Sequence, residues 1–347
     1  MLWYLSVAIV LICVIGVFLF PRWPWGPRMK ITTADAAKTR RDNKVSCVQC
    51  RISYLGKKLL IAYQDVWPPP IIPLRDLTPE TLPQQCPTPW RPYKPIDYHL
   101  TMGLWPLEPS QWIQIDNGYP ERIAKRKTLI ENYPTVVYGF KPEIVPAIEE
   151  LYEYLLGYYL PRRYPGLFRI CLKKSPGLIG EDLWFENLVT GECHPIISPT
   201  HTALATGSKR VPEADRCLRV IATTIEEDFL ILLPDSLLQN GGEDSGYKLR
   251  TFCMCFASGV NPPELLGKNL TALHTPVPGF KEKLGVSINR FFGKIEVGRF
   301  WRRWNWSVTT HNELCVASGN ETYEREMPKP AESSDPAQVG CSQSSFW

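Results

Sequence analysis

The chain is short of most features that announce a nucleotide or nucleic-acid partner. Its formal net charge is only +4 over 347 residues. Its basic residues are interspersed with acids and not gathered on one element, so no case for nucleic acid arises. No GxGxxG follows a strand pattern, which leaves no dinucleotide-binding fingerprint, and no flavin motif is visible. The eleven cysteines have no repeating spacing. Cys47 and Cys50 form a lone CxxC without a second pair, too little for zinc or an iron–sulfur cluster, and no βαβ context makes it a redox motif. Reduced bystander thiols are the default reading. Histidines number five, and only one lies in a constrained setting.

Apolar residues make up 44% of the chain and charged residues 21%, a globular profile that can bury a sizeable core. The 33 prolines confine long regular elements to particular stretches. The twelve tryptophans point to aromatic packing or aromatic pocket walls.

Leu2 to Phe20 is apolar apart from Ser6 and Gly16. As a helix rising ~1.5 Å per residue it would span about 30 Å, close to the hydrocarbon thickness of a bilayer. No small-x-small cleavage site and no basic leader accompany it, so an uncleaved transmembrane anchor over residues 1–21 is expected over a signal peptide. Trp23 and Trp25 suit an interfacial belt. Positive charge follows the span (Arg22, Arg28, Lys30, Lys38, Arg40, Arg41), which predicts a single-pass protein with its large C-terminal part in the cytosol.

Residues 22–96 read as a proline-rich connector, with WPPPIIPL and TPWRPYKP better suited to extended spacing than to a core. A folded domain is expected over 97–318, and a Glu/Ser/Pro-rich disordered tail over 319–347. Within the domain, Tyr119–Tyr133 predicts a helix with a solvated Arg/Lys face. Glu143–Leu160 predicts the best helix, its stripe made by Ile144, Ala147, Ile148, Leu151, Leu155 and Tyr159. FRICL, then LWFENLV and CHPII about Thr190-Gly191-Glu192, predict strands and a hairpin. Leu218–Leu233 is rich in β-branched residues and reads as a strand pair. Tyr247–Phe256 alternates and reads as a strand, with Cys253 and Cys255 on one side. Helices first and strands later predict an α+β domain.

The stretch Leu270–Val308 (LTALHTPVPGFKEKLGVSINRFFGKIEVGRFWRRWNWSV) organises the rest. His274 sits in a strap closed by Pro276, Pro278 and Gly279. Two prolines two positions apart fix φ and bar helix just after the histidine. Leu284, Ile288 and Phe291 then recur at helical spacing. A lone imidazole on a rigid strap backed by an apolar helix suits a haem-iron axial ligand, although on chemistry alone most single histidines are surface or hydrogen-bonded core residues.

ALHTPVPGF with NRFF, and RRWNWSV after them, resemble the haem-dependent oxidative N-demethylase alpha-subunit-like family. LTMGLWPLEPSQWIQID, YLPRRYPGLF, TIEEDFLILLP and YKLRTFCMCFASG precede them in the expected order. The resemblance implies a PAS-like antiparallel sheet with flanking helices, adapted to hold haem. It also implies oxidation of a C–H bond next to nitrogen by dioxygen, giving a carbinolamine that collapses to amine and formaldehyde. His274 matches the family's histidine and becomes the expected proximal ligand to the iron. His99, His194, His201 and His311 are its rivals, with His201 first among them.

Glu227 and Asp228 fall on the family's E-D pair and are the candidate catalytic acids. In a strand Glu227 would face inward, with Glu226 and Asp228 outward. An inward carboxylate could bind an alkylammonium substrate or relay protons, while the bland reading of three adjacent acids is a solvated strand start. Arg290 and Arg303 are candidate partners of haem propionates, with surface charge as the bland reading. Asn305 and Trp306 match the family's N-W pair, read mainly as packing and backbone satisfaction. The chain carries no electron-donor motif, so an external NAD(P)H-dependent reductase is expected. Two alternatives stand beside the monooxygenase reading: a non-catalytic haem-binding PAS-like sensor or carrier, and a haem-free structural relative.

Overall fold

A computed structural model describes residues 69–88, 101–174, 181–196, 210–234, 246–257, 260–277, 279–296 and 298–303. The apolar run over residues 1–21, the Cys47/Cys50 pair, Asn305, Trp306 and the tail lie outside the described residues. Among the described residues no helix is long and apolar enough to cross a membrane.

Helix α1 (Tyr119–Asn132) opens with Pro120 in its first turn, where a missing N–H costs nothing. Tyr119, Ile123, Arg126 and Ile130 form its buried stripe, at helical spacing. One of the four is an arginine, which the expectation of a wholly solvated basic face does not accommodate. Helix α2 (Val145–Tyr154) runs into a π turn at Leu155–Tyr159 and a last helical turn at Leu160–Arg163. Ile144, Ala147, Ile148, Leu151, Leu155 and Tyr159 are all buried, as the apolar stripe predicted.

The first half of Leu218–Leu233 is helical. Helix α3 (Arg210–Thr224) buries Ala214, Cys217, Leu218, Ile221 and Ala222, a three-to-four spacing that outweighs β-branched content. Only Phe229–Pro234 forms a strand there. Helices α2 and α3 pack together, and α1 packs on α3.

The described strands pair antiparallel throughout, so helices and antiparallel sheets combine in an α+β fold. β1 (Leu104–Leu107) pairs with β8 (Phe300–Arg303), bringing Leu104 opposite Arg303 and Leu107 opposite Phe300. β2 (Tyr138–Phe140), β7 (Tyr247–Cys253) and β6 (Phe229–Pro234) form a three-stranded sheet with β7 in the centre. β3 (Phe168–Lys174), β4 (Glu181–Asn187) and β5 (Cys193–Pro195) form another. Its β4–β5 hairpin turns at the predicted Thr190-Gly191-Glu192, with Gly191 at φ +75°, where a side chain would be strained.

Residues 69–88 are part of the packed body. Leu77 and Leu82 are buried in the main core. The Leu74 N–H donates to the Arg163 carbonyl at 2.7 Å, and the Ile72 N–H donates to Ser110 Oγ at 2.7 Å. The Leu77 carbonyl comes so near Gly166 that a Cβ there would stand 2.3 Å away. Proline density predicted an extended segment. Two buried leucines and these backbone contacts dock it.

Candidate functional site

The strap around His274 is built from its caps inward. Asn269 caps the short helix α4 (Leu270–Leu273) by accepting from the Ala272 N–H at 2.8 Å. His274 ends that helix, and the Val277 N–H closes the next turn onto the His274 carbonyl at 2.9 Å. Gly279, at φ +70°, reverses the chain into α5 (Phe280–Lys283) and α6 (Gly285–Lys294). Phe280 returns under the imidazole, its ring stacked at 4.5 Å and 11°. Leu270, Phe280, Leu284, Ile288, Phe292 and Tyr247 form one apolar cluster behind the strap.

His274 is 7% exposed. Its Nδ1 lies 2.7 Å from the Leu270 carbonyl oxygen. A carbonyl only accepts, so Nδ1 carries the proton and the lone pair of the neutral ring resides on Nε2. Burial lowers the imidazole pKa; the Leu270 hydrogen bond opposes this, and the charge of Arg303 adds to the lowering. The ring is therefore held neutral and oriented, with its lone pair at Nε2, the state a metal-bound histidine requires. Arg303 is half-buried at the end of β8, within electrostatic reach of the ring. Arg290 is exposed on the outer side of α6.

The acids form a second, separate group. They precede β6, so strand alternation does not govern them. Asp228 is buried, not outward, and both its oxygens are committed. Oδ1 accepts from Arg126 Nη1 at 2.6 Å and from the Cys255 N–H at 2.8 Å, and Oδ2 accepts from the Phe256 N–H at 2.9 Å. Arg126 is fully buried. It also donates to the carbonyls of Ala222 and Glu226, at 2.7 and 3.1 Å, and to Cys253 Sγ at 3.4 Å. A buried ion pair so completely hydrogen-bonded ties α1 to α3 and to the end of β7.

Glu226 forms a forked pair with Arg122, at 2.8 and 3.0 Å, and Arg122 also holds Asp116. Glu227 accepts at Oε1 from the Gln114 N–H at 3.3 Å, while its Oε2 is shielded from solvent and has no partner. Burial, then the neighbouring Glu226 charge, pushes its pKa up to about 8. A protonated Glu227 at neutral pH resolves what would otherwise be an uncompensated charge.

The structure does not bring the two groups together. Cys253, at one end of β7, touches Arg126 in the acid group. Tyr247, at the other end, packs its ring on Phe292 in the histidine cluster. Six steps of ~3.3 Å put those ends roughly 20 Å apart. Of the rival histidines, His194 lies on β5 opposite Phe185, its Nε2 shielded and unpartnered and its pKa lowered, chiefly by burial. His99, His201 and His311 lie outside the described residues, as do Asn305 and Trp306.

Sequence reasoning passed over Arg126, although its place in the Tyr119–Ile123–Ile130 stripe was a readable signal. It also passed over Glu150, half-buried on α2 with an unpartnered Oε2 and a pKa pushed up to about 7, by burial first and then by Glu153. Among the described residues no cluster of three or more His, Cys, Asp or Glu side chains forms a metal site.

Comparison with known families finds a match over residues 103–342 to the family described as haem-dependent oxidative N-demethylase, alpha subunit-like. No curated protein and no solved structure matches the chain.

Proposed function

Because the chain belongs to the haem-dependent oxidative N-demethylase, alpha subunit-like family, we propose that it holds haem through His274 Nε2 and oxidatively demethylates a small alkylamine. The observation that carries this reading is the Nδ1 hydrogen bond to Leu270, which leaves Nε2 as the donor nitrogen. Bound haem supplies dioxygen chemistry at the C–H bond beside nitrogen, with electrons from a separate NAD(P)H-dependent reductase.

The chain's own residues orient and insulate the group. Leu270 fixes the tautomer, and Phe280 fixes the ring plane by stacking. Arg303, whose charge reaches the ring, is the proposed partner of a propionate carboxylate. Glu227 is the acid with an oxygen to spare and holds a proton there. Its proposed role is to supply that proton or, once ionised, to receive an alkylammonium; Asp228 serves the fold. A PAS-like cradle, with β7 and its neighbours behind the strap, and a membrane anchor over residues 1–21 with the domain in the cytosol complete the proposal. The first rests on the family likeness and on the antiparallel β2–β7–β6 sheet. The second rests on the apolar run and the charges that follow it.

The attachment of the acids and of the histidine cluster to opposite ends of β7 favours a second reading, a haem-binding sensor or carrier without turnover. The two part on one assay. The loaded protein, given a surrogate reductant and a panel of methylated amines, is expected to take up oxygen only with amine and to release formaldehyde. A fully loaded protein that releases none from any amine leaves the carrier.

A further inference from the structure

Five cations on helices α1 and α3 are matched within the fold. Arg122 pairs with Asp116 and Glu226, Lys125 with Glu121, Lys127 with Glu192, Arg216 with Glu213 and Arg219 with Asp215. Helices α5 and α6 break that pattern. Lys281, Lys283, Arg290 and Lys294 are exposed, and none makes an ion pair with a described residue. Glu282 is the exposed acid among them. On α6, Val286, Arg290 and Lys294 follow one another at four-residue spacing, opposite the buried Ile288 and Phe292. Val286 is 71% exposed, so an apolar residue sits within a cationic stripe. The opposite side of α6, through Ile288 and Phe292, belongs to the apolar cluster behind the strap, and Phe280, next to Lys281, stacks directly on His274.

We propose that the exposed cationic face of α5 and α6 is the docking surface for an acidic one-electron donor protein. The inference rests on the haem reading of His274, because the electron is of use only if iron lies behind that face. Unpaired surface charge of one sign speeds encounter with a partner of the opposite sign and orients it before contact. An exposed valine amid those charges gives the encounter a dry centre. A donor seated beside Lys281 would be one residue from Phe280, the ring stacked on the imidazole.

The test uses the full-length chain and a plant-type [2Fe–2S] ferredoxin as the acidic probe. Zero-length carbodiimide cross-linking, mapped by mass spectrometry, is run with and without haem. Cross-links are expected at Lys281, Lys283 and Lys294, to be suppressed by salt, and to vanish in the combined variant Lys281→Glu, Lys283→Glu, Lys294→Glu. In haem-loaded protein, reduction by the photoreduced ferredoxin is expected to fall roughly tenfold or more in that variant at low salt, while reduction by dithionite is unchanged. Cross-links mapping elsewhere or not forming, or an unaltered ferredoxin rate, overturn the proposal. So does cation-dependent binding to phosphatidylserine vesicles without ferredoxin binding, which would make the face a membrane surface. Should the protein carry no haem, the haem reading fails by its spectrum, while the cross-linking arm still decides the docking surface.

Discussion

The Leu270 carbonyl oxygen lies 2.7 Å from His274 Nδ1, one turn back along the same short helix. That contact selects the Nδ1–H tautomer. It comes from the backbone, so no substitution of the Leu270 side chain removes it. Its consequence is a buried imidazole that stays neutral and presents Nε2.

Acid release of haem follows from the lowered His274 pKa. Protonation of Nε2 competes with the iron, so the complex is expected to survive acidification until the pH is below the ordinary imidazole value of about 6.5. A spectrophotometric titration with its midpoint above that value contradicts the burial argument. In the apo protein the same depression contributes stability above about pH 6.5 that is lost as pH falls through the folded pKa, and His274→Phe should flatten that limb.

Glu227 predicts the opposite limb. Its pKa is raised from the ordinary 4.5 to about 8, so the folded state binds the extra proton between those values. Its contribution is complete below about pH 4.5 and falls as pH rises through about 8, at roughly 1.4 kcal/mol per unit within the window. Denaturant titrations should show Glu227→Gln gaining on the wild type as pH rises from 5 to 8. A constant difference across that range removes the protonated carboxyl from the account.

Arg126 and Asp228 should behave as a coupled structural pair. Removing either partner, as Arg126→Met or Asp228→Asn, leaves a buried uncompensated group and is expected to cost about 3–5 kcal/mol. The double variant should cost less than the two singles added. Equilibrium unfolding measures both, and strict additivity would break the pairing argument.

Gly166→Ala places a methyl 2.3 Å from the Leu77 carbonyl, so one of the two backbones must move. Residues 69–88 are expected to detach, and trypsin to cut at Arg75 much faster than in the wild type. Leu77→Ala should release the same segment at a cost of about 2–5 kcal/mol. Unchanged proteolysis in both variants shows that the segment contributes nothing to the body.

Local features were legible in the sequence where one period dominated. The stripe from Ile144 to Tyr159 and the hairpin about Gly191 appear where spacing and turn chemistry placed them. Residues 218–224 misled because Val220 and Ile221 read as strand, whereas the spacing of Ala214, Leu218 and Ile221 decided for helix. Arg126 misled because charge reads as surface until a partner is known, and Asp228 lies 102 residues further along the chain. The His274 strap was legible from its prolines and Gly279. Its separation from Glu227 into another cluster was not, since that is set by which residues pack at each end of β7.

The central claim is that His274 Nε2 binds haem iron, and the absorption spectrum of the purified full-length chain tests it most directly. Produced in cells fed haem precursor, the wild type is expected to show a Soret band that His274→Ala loses and added imidazole partly restores. A colourless wild type, or a Soret band that persists unaltered in His274→Ala, contradicts the claim, and the second result would direct attention to His194.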